Sequence, residues 1–266
     1  MIRKIADCHA HVFPEKIAGK AVKSIGNFYN SYMKYDGKSE TLYRKGSELG
    51  ISIYLLSSSA THPKQVESIN TFISDEIKKN EKFMGLGSIH PLYKNYEELD
   101  RVKELGLVGI KLHPDFQMYN IDDEDAIEMY KEIGKRNLPI LIHTGDCRYD
   151  ASSPERLRKA ALKAKDTLFI AAHFGGYNHW FDVEKNLKDL PNVIFDTSST
   201  LYAIENKKAV SMIENLGEDR FLFGTDFPMW DPVEEYNRFM QLELTEEQRD
   251  KILWKNFERV FISNRL

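Results

Sequence analysis

Apolar residues gather in short, β-rich runs at 5–11, 51–58, 83–90, 107–113, 139–144, 168–173, 193–198 and 221–226. Charged, helix-forming stretches fill most of the gaps, and that alternation predicts parallel strands joined by helices. Several runs are almost unbroken in apolar residues, as strands covered on both faces are. Eight runs are what a closed (β/α)8 TIM-type barrel needs, and 266 residues is a usual length for one. An open doubly wound sheet would more often carry a glycine-rich phosphate loop after its first strand, whereas here that strand ends in His-Ala-His. The expected fold class is α/β, one barrel domain over residues 1–266.

Two segments fall outside the rhythm. The widest gap, 12–50, holds Phe28, Tyr29, Tyr32, Tyr35 and Tyr43, and is expected to form a helical insertion after strand one, either a lid or ordinary packing. Near the other end, Thr245-Glu-Glu-Gln248 reads as a capping box. An amphipathic helix through Leu253, Trp254, Phe257, Val260 and Phe261 follows it and should close the barrel.

Composition narrows the function. Hydrophobic residues at 42% can fill a sizeable core, and a net charge of -4 lacks the basic excess that nucleic acid or anionic membrane requires. No apolar run nears the roughly 20 residues of a membrane span, and residues 1–7 lack the apolar core of a signal peptide. Cys8 and Cys147 offer no disulfide framework and fit a reducing, cytoplasmic compartment, each expected as a small buried or pocket-lining residue. A small-molecule substrate is the expected partner, with a homodimer favoured by base rate alone.

Most of the 8 histidines sit at or near the carboxyl end of a predicted strand, where barrel active sites form. His9 and His11 alternate on one strand, so their side chains share a face roughly 7 Å apart and can reach one ion. Two such histidines can equally share a solvated face, but these end the first strand. His143 and His173 close the fifth and sixth runs, and Asp226 closes the eighth, beside strand one in a closed barrel. Lys111 and His113 share a face of the fourth strand. Arg148, just past strand five, could clamp a substrate carboxylate or lie exposed. His62 and His90, each followed by Pro, read as turn residues, and His179 as a packing residue beside a Trp.

These residues, in this order, resemble the amidohydrolase superfamily, and more closely its mononuclear branch of hydrolases and decarboxylases similar to aminocarboxymuconate semialdehyde decarboxylase. The motifs are Asp7-Cys-His-Ala-His-Val-Phe-Pro14, Gly109-Ile-Lys-Leu-His-Pro114, Ile142-His-Thr-Gly145, Ala172-His-Phe-Gly-Gly176, Phe223-Gly-Thr-Asp-Phe-Pro228 and Asn256-Phe-Glu-Arg-Val-Phe261. The resemblance implies that His9, His11, His143 and Asp226 hold one divalent ion, zinc first, with manganese or iron compatible with the same donors. It also implies that His173 stands nearby, orienting water or stabilising an oxyanion while Asp226 takes a proton. Lys111 corresponds to the lysine that binuclear relatives carbamylate. In the mononuclear branch it is expected unmodified, either salt-bridged or contacting substrate, with His113 outside the ligand set. The implied activity is hydrolysis of a small amide, ester or lactone through metal-activated water, or alternatively non-oxidative decarboxylation of an aromatic or unsaturated acid.

Overall fold

The computed structural model describes residues 3–263, so Met1, Ile2 and 264–266 of the expected 1–266 unit lie outside the described residues. Each predicted run contains a strand: β1 (Ala6–His11), β2 (Ile53–Ser57), β3 (Phe83–Gly85), β4 (Gly87–Ser88), β5 (Ile110–Leu112), β6 (Ile140–Ile142), β7 (Phe169–Ala171), β8 (Val193–Asp196) and β9 (Phe221–Leu222). All ladder pairs are parallel and run in sequence order, β1-β2-β3 and β4 through β9. The third run is broken between β3 and β4 because it changes neighbour there: Leu86 N donates to Leu56 O at 2.9 Å, and Gly87 N to Gly109 O at 2.9 Å. The ring closes through an Ala10–Phe227 bridge, with Cys8 N donating to Phe223 O at 2.9 Å and Asp226 N to His9 O at 2.8 Å. The expected TIM-type barrel is therefore formed.

Alternation along the strands separates two apolar layers. Ile140 and Ile142 face the helices in the larger cluster, whereas Leu141 joins Ala6, Leu55, Leu86, Ile170 and Leu222 in the barrel interior. Phe257, Val260 and Phe261 complete that interior cluster, so the C-terminal segment plugs the end opposite the histidines. Its capping box is present, Thr245 Oγ1 accepting from Gln248 N at 3.2 Å. One turn later the segment widens into π-helical turns at Lys251–Lys255 and Glu258–Ile262, where the expectation was an ordinary amphipathic helix.

A bulge in β1 matters for the site. Asp7 pairs with Tyr54 and Ala10 with Leu56, so Cys8 and His9 together oppose Leu55. The extra residue lets Cys8 pack in the barrel interior while His9, next in the chain, also turns inward towards Lys111 and Asp196. The close approach of β9 requires Gly224, because a Cβ there would lie 2.9 Å from the His9 Cβ. The insertion forms α1 (Glu15–Tyr29) and α2 (Ser39–Ser47), and a further helix, α3 (Val66–Ile77), follows β2. Among the described residues, no helix is long and apolar enough to cross a membrane.

Candidate metal centre

The carboxyl ends of β1 and β9 bring three donors together. His9 Nε2 lies 3.1 Å from His11 Nε2 and 3.5 Å from Asp226 Oδ1, and His11 Nε2 lies 3.4 Å from that same oxygen. The three groups fall within 4.8 Å of one another. Lys111 Nζ, buried on β5, sits 3.0 Å from His9 Nε2. Two residues of the group's surroundings carry backbone that non-glycine residues rarely adopt: His173 at φ 61° and Asp226 at φ 56°. Such conformations persist where surrounding contacts hold a side chain in a required place.

Those contacts are visible. Asp196, buried at the end of β8, places Oδ2 2.7 Å from His9 Nδ1. Its Oδ1 accepts from His173 N at 2.9 Å, Ser198 N at 3.0 Å and Ser198 Oγ at 2.6 Å. With Nδ1–H donating to Asp196, the His9 Nε2 lone pair is left facing His11 and Asp226. A second grouping of His9, His173 and Asp196 would use the opposite edge of the same ring, which these hydrogen bonds already occupy. On the other side, Ser199 Oγ donates to Asp226 Oδ2 and accepts from Trp230 Nε1 at 2.8 Å, fixing the carboxylate plane.

Electrostatics keep the donors in ligand form. Burial and then the Lys111 ammonium push His9 down to about 4, and burial also lowers His11 and His173. Burial opposes ionisation of Asp226, but His9, His11 and His173 outweigh it and hold the carboxyl well below the usual carboxylate range. Burial brings Lys111 down to about 8, so it remains largely cationic at neutral pH. Two neutral imidazoles and a carboxylate with converging lone pairs are a donor set that suits a divalent ion such as zinc. The residues present therefore fit the expected metal.

His143 stands apart from the three-donor group. Its Nδ1 lies 3.0 Å from His173 Nε2, while His173 Nδ1 lies 3.3 Å from the Ser198 carbonyl. A chain of donors running from His143 through His173 to that carbonyl leaves His143 Nε2 as a lone pair. That atom is buried and, among the described residues, has no hydrogen-bond partner; it lies 3.8 Å from Asp115 Oδ2. It retains the chemistry of a ligand, turned towards Asp115 in this arrangement.

Above the donors opens a cavity of about 690 Å³, whose lining includes His9, His11, Lys111, His113, His143, His173 and Asp226. Its roof is α1, through Ile17, Ala21, Ile25, Phe28 and Tyr29, and α3 contributes Ile69 and Phe72. The insertion is thus a lid at Phe28 and Tyr29. Tyr43, by contrast, packs edge-on against Tyr54 and Phe83, and Tyr32 is exposed.

Arg148 is placed differently from a substrate clamp. It is not among the cavity-lining residues: its Nε donates to Asp146 Oδ1 at 2.9 Å and another nitrogen to Asp146 Oδ2 at 2.6 Å. A third nitrogen donates to the Phe28 carbonyl, and the guanidinium lies 4.6 Å over the Phe28 ring. Its donors are spent on pinning the end of the lid. Cys147 is exposed rather than buried or pocket-lining, because the loop after β6 turns outward, while Cys8 is buried as expected. His90 is held by Gln117 O at 3.2 Å, His62 caps a turn by accepting from Lys64 N at 3.2 Å, and His179 precedes the helix that begins at Trp180.

Sequence reasoning missed Asp196, Ser198, Ser199 and Asp115. Asp196 left one signal, a lone carboxylate ending the apolar run Val-Ile-Phe-Asp. Asp7 was noted only within its motif, yet it ties β1 to the β9 loop by accepting from Thr225 N at 3.0 Å and Thr225 Oγ1 at 2.7 Å.

Comparison with known proteins adds the relationship. A search of curated proteins found no match. Among solved structures, a TIM-barrel protein of uncharacterised function from Bordetella bronchiseptica aligns with a TM-score of 0.79 at 16% identity, over 97% of this chain and 98% of that one. A dihydroxybenzoic acid decarboxylase from Polaromonas sp. JS666, with manganese and 2-nitroresorcinol bound, aligns with a TM-score of 0.73 at 17% identity, over 99% and 98%. A probable 2-pyrone-4,6-dicarboxylic acid hydrolase from Acinetobacter baumannii, with citric acid bound, aligns with a TM-score of 0.71 at 15% identity, over 98% and 99%. At these identities the likeness establishes the fold. A family model described as Amidohydrolase matches residues 6–261, and the chain, nearly all of it covered, belongs to that family.

Proposed function

We propose that this amidohydrolase-family protein is a metal-dependent hydrolase of a small carbonyl compound: an amide, ester or lactone. The observation that carries the reading is the convergence of His9 Nε2, His11 Nε2 and Asp226 Oδ1 on the floor of a cavity large enough for a small molecule. These three residues, joined by the open lone pair of His143, would hold one divalent ion, zinc first. Manganese or iron would also suit the donors, and manganese is the ion in the Polaromonas decarboxylase. Such an ion, when bound, polarises a carbonyl and acidifies water.

The remaining chemistry belongs to the side chains. Asp226, ionised and held in one plane by Ser199, takes the proton of the attacking water. His173, clamped through its amide to Asp196 and through Nδ1 to Ser198, reaches that water through Nε2 once His143 Nδ1 releases it, orienting the water or, protonated there, steadying the developing oxyanion. Lys111, lining the cavity, contacts the substrate, and His113, also in the lining, acts on it through its neighbours.

A second reading, non-oxidative decarboxylation of an aromatic acid, is favoured by the cavity walls. Phe13, Phe28, Tyr29, Phe72 and Phe116 give it aromatic surfaces suited to a flat ring. One experiment separates the two: metal analysis of the purified protein, with an activity screen over lactones, esters, amides and aromatic acids. Metal-dependent acid release supports hydrolysis, and metal-dependent carbon dioxide release replaces it with decarboxylation. A protein that binds no divalent ion refutes both.

A further inference from the structure

The lid carries a polar atom that neither the metal donors nor the packing uses. Tyr29 ends α1 and lines the cavity, and its hydroxyl oxygen lies 2.9 Å from His113 Nε2. Which of the two donates is settled at the far side of the imidazole. His113 Nδ1 accepts from the Phe116 amide at 3.4 Å, capping the short helix Pro114–Gln117. A nitrogen that accepts a backbone N–H carries no proton, so the ring proton is on Nε2. His113 Nε2–H therefore donates to the Tyr29 oxygen, and the Tyr29 hydrogen is left free. Among the described residues, His113 is the one hydrogen-bond partner of that hydroxyl.

The free O–H is held rigidly. The His113 ring is sandwiched between Phe116, with centroids 3.8 Å apart and planes 12° apart, and His143, at 4.1 Å and 6°. The Tyr29 ring packs against Tyr177 at 5.7 Å and His143 at 6.2 Å, and the Arg148 guanidinium lies 5.3 Å from its centroid. Arg148 also binds the carbonyl of the preceding residue, Phe28. A half-buried hydroxyl whose hydrogen lacks an acceptor costs free energy, and a cavity beside converging metal donors is where an incoming oxygen would supply one.

We propose that the Tyr29 hydroxyl is the lid's hydrogen-bond donor to an anionic or incipiently anionic oxygen of the substrate, with His113 as the positioning residue that frees its hydrogen. The proposal rests on the reading of this cavity as the active site and names the group on the substrate that it recognises, a carboxylate oxygen or a carbonyl oxygen gaining charge.

The test uses two aromatic probes followed by fluorine NMR, 4-fluorobenzoate, which offers anionic oxygens, and fluorobenzene, which offers none. Each is titrated into full-length wild-type and Tyr29→Phe protein, as purified with its metal and again after chelation. Tyr29→Phe is expected to weaken 4-fluorobenzoate by about 10-fold or more, the size of a hydrogen bond to a charged group, and to leave fluorobenzene within about twofold. Equal 4-fluorobenzoate affinity in the two proteins overturns the proposal, as does failure of the wild type to bind it. Parallel weakening of both probes overturns it too, by showing a packing role. Should Tyr29→Phe fold poorly, 3-fluorotyrosine at position 29 of the wild-type chain reports on the same group. Its resonance is expected to shift with unlabelled benzoate and not with benzene, and no shift with benzoate overturns the proposal. Metal content and the effect of chelation report separately on the metal, so the two readings fail independently.

Discussion

Replacing Asp196 by Asn tests whether the His9 ring is set from behind. Three donors converge on Asp196 Oδ1, the amides of His173 and Ser198 at 2.9 and 3.0 Å and the Ser198 hydroxyl at 2.6 Å. The single oxygen of an Asn must stay with them, so its NH2 group meets His9 Nδ1, which now lies 2.7 Å from Oδ2. Two N–H groups cannot share that contact, and His9 moves its proton to Nε2. That nitrogen faces His11 and Asp226, and once protonated it cannot ligate a cation. Zinc affinity should fall by about 10- to 100-fold, the usual size of such an outer partner's contribution. Loss of a buried hydrogen bond to a carboxylate costs about 1.5–3 kcal/mol. For a chain of this size that lowers Tm by roughly 4–10 °C. Competition with a chromophoric chelator measures the first effect and circular dichroism the second. The Ser198 hydroxyl, 3.0 Å from His9 Nδ1, is the alternative acceptor, so adding Ser198→Ala should deepen the loss. Wild-type zinc affinity in the double variant would refute the tautomer argument.

Four further outcomes follow from the structure. His9→Ala combined with His11→Ala should strip most of the metal measured by elemental analysis, since Asp226 and His143 leave the site half complete, and full retention removes the assignment. Asp226→Asn keeps an oxygen donor but no basic site, so it should retain the fold and part of the metal while turnover drops by about 100-fold or more. His173→Asn should lose turnover similarly, with metal nearly unchanged, and near wild-type turnover of either at equal occupancy places proton transfer elsewhere. Glu235, buried beside Arg238, is pushed up to about 7 by burial. The unfolded chain releases that proton first, near pH 4.5, so this group's contribution makes stability fall as pH rises from about 4.5 to 7, by about 3 kcal/mol at most. Urea titrations should show that slope flattened in Glu235→Gln, and an unchanged slope assigns it to other groups.

The strand runs were legible because burial on both faces demands unbroken apolar sequence, and all eight contain a strand. The placement of His9, His11 and Asp226 was legible for a related reason: strand alternation and barrel closure are short-range rules applied to residues at strand ends. The β1 bulge was not, because nothing in Cys8-His9 marks an extra residue until β2 is laid against it. Arg148 shows the same limit from the other side. A guanidinium near a strand end can clamp substrate or bind a neighbouring carboxylate, and only the fold shows Asp146 and the Phe28 carbonyl taking its donors. The state of Tyr29 lies further still from sequence, since it depends on which nitrogen of His113 meets a backbone amide.

The plug at the barrel floor also bears on how the chain reaches its native form. Ala6 and Phe261 belong to one apolar cluster, so the first strand and the segment some 250 residues later complete the same interior. Contacts of such long sequence separation form late, after much chain entropy has been lost. During synthesis the earlier strands can pair in order, yet the inward faces of Leu55, Leu86, Leu141 and Ile170 stay uncovered until Phe257 and Phe261 have emerged. That interval is when the chain is most exposed to association with its own copies and most in need of chaperone cover. A ribosome-stalled chain whose emerged part ends before residue 250 should consequently be far more sensitive to protease than one in which residue 261 has emerged, although its histidine cluster is already outside.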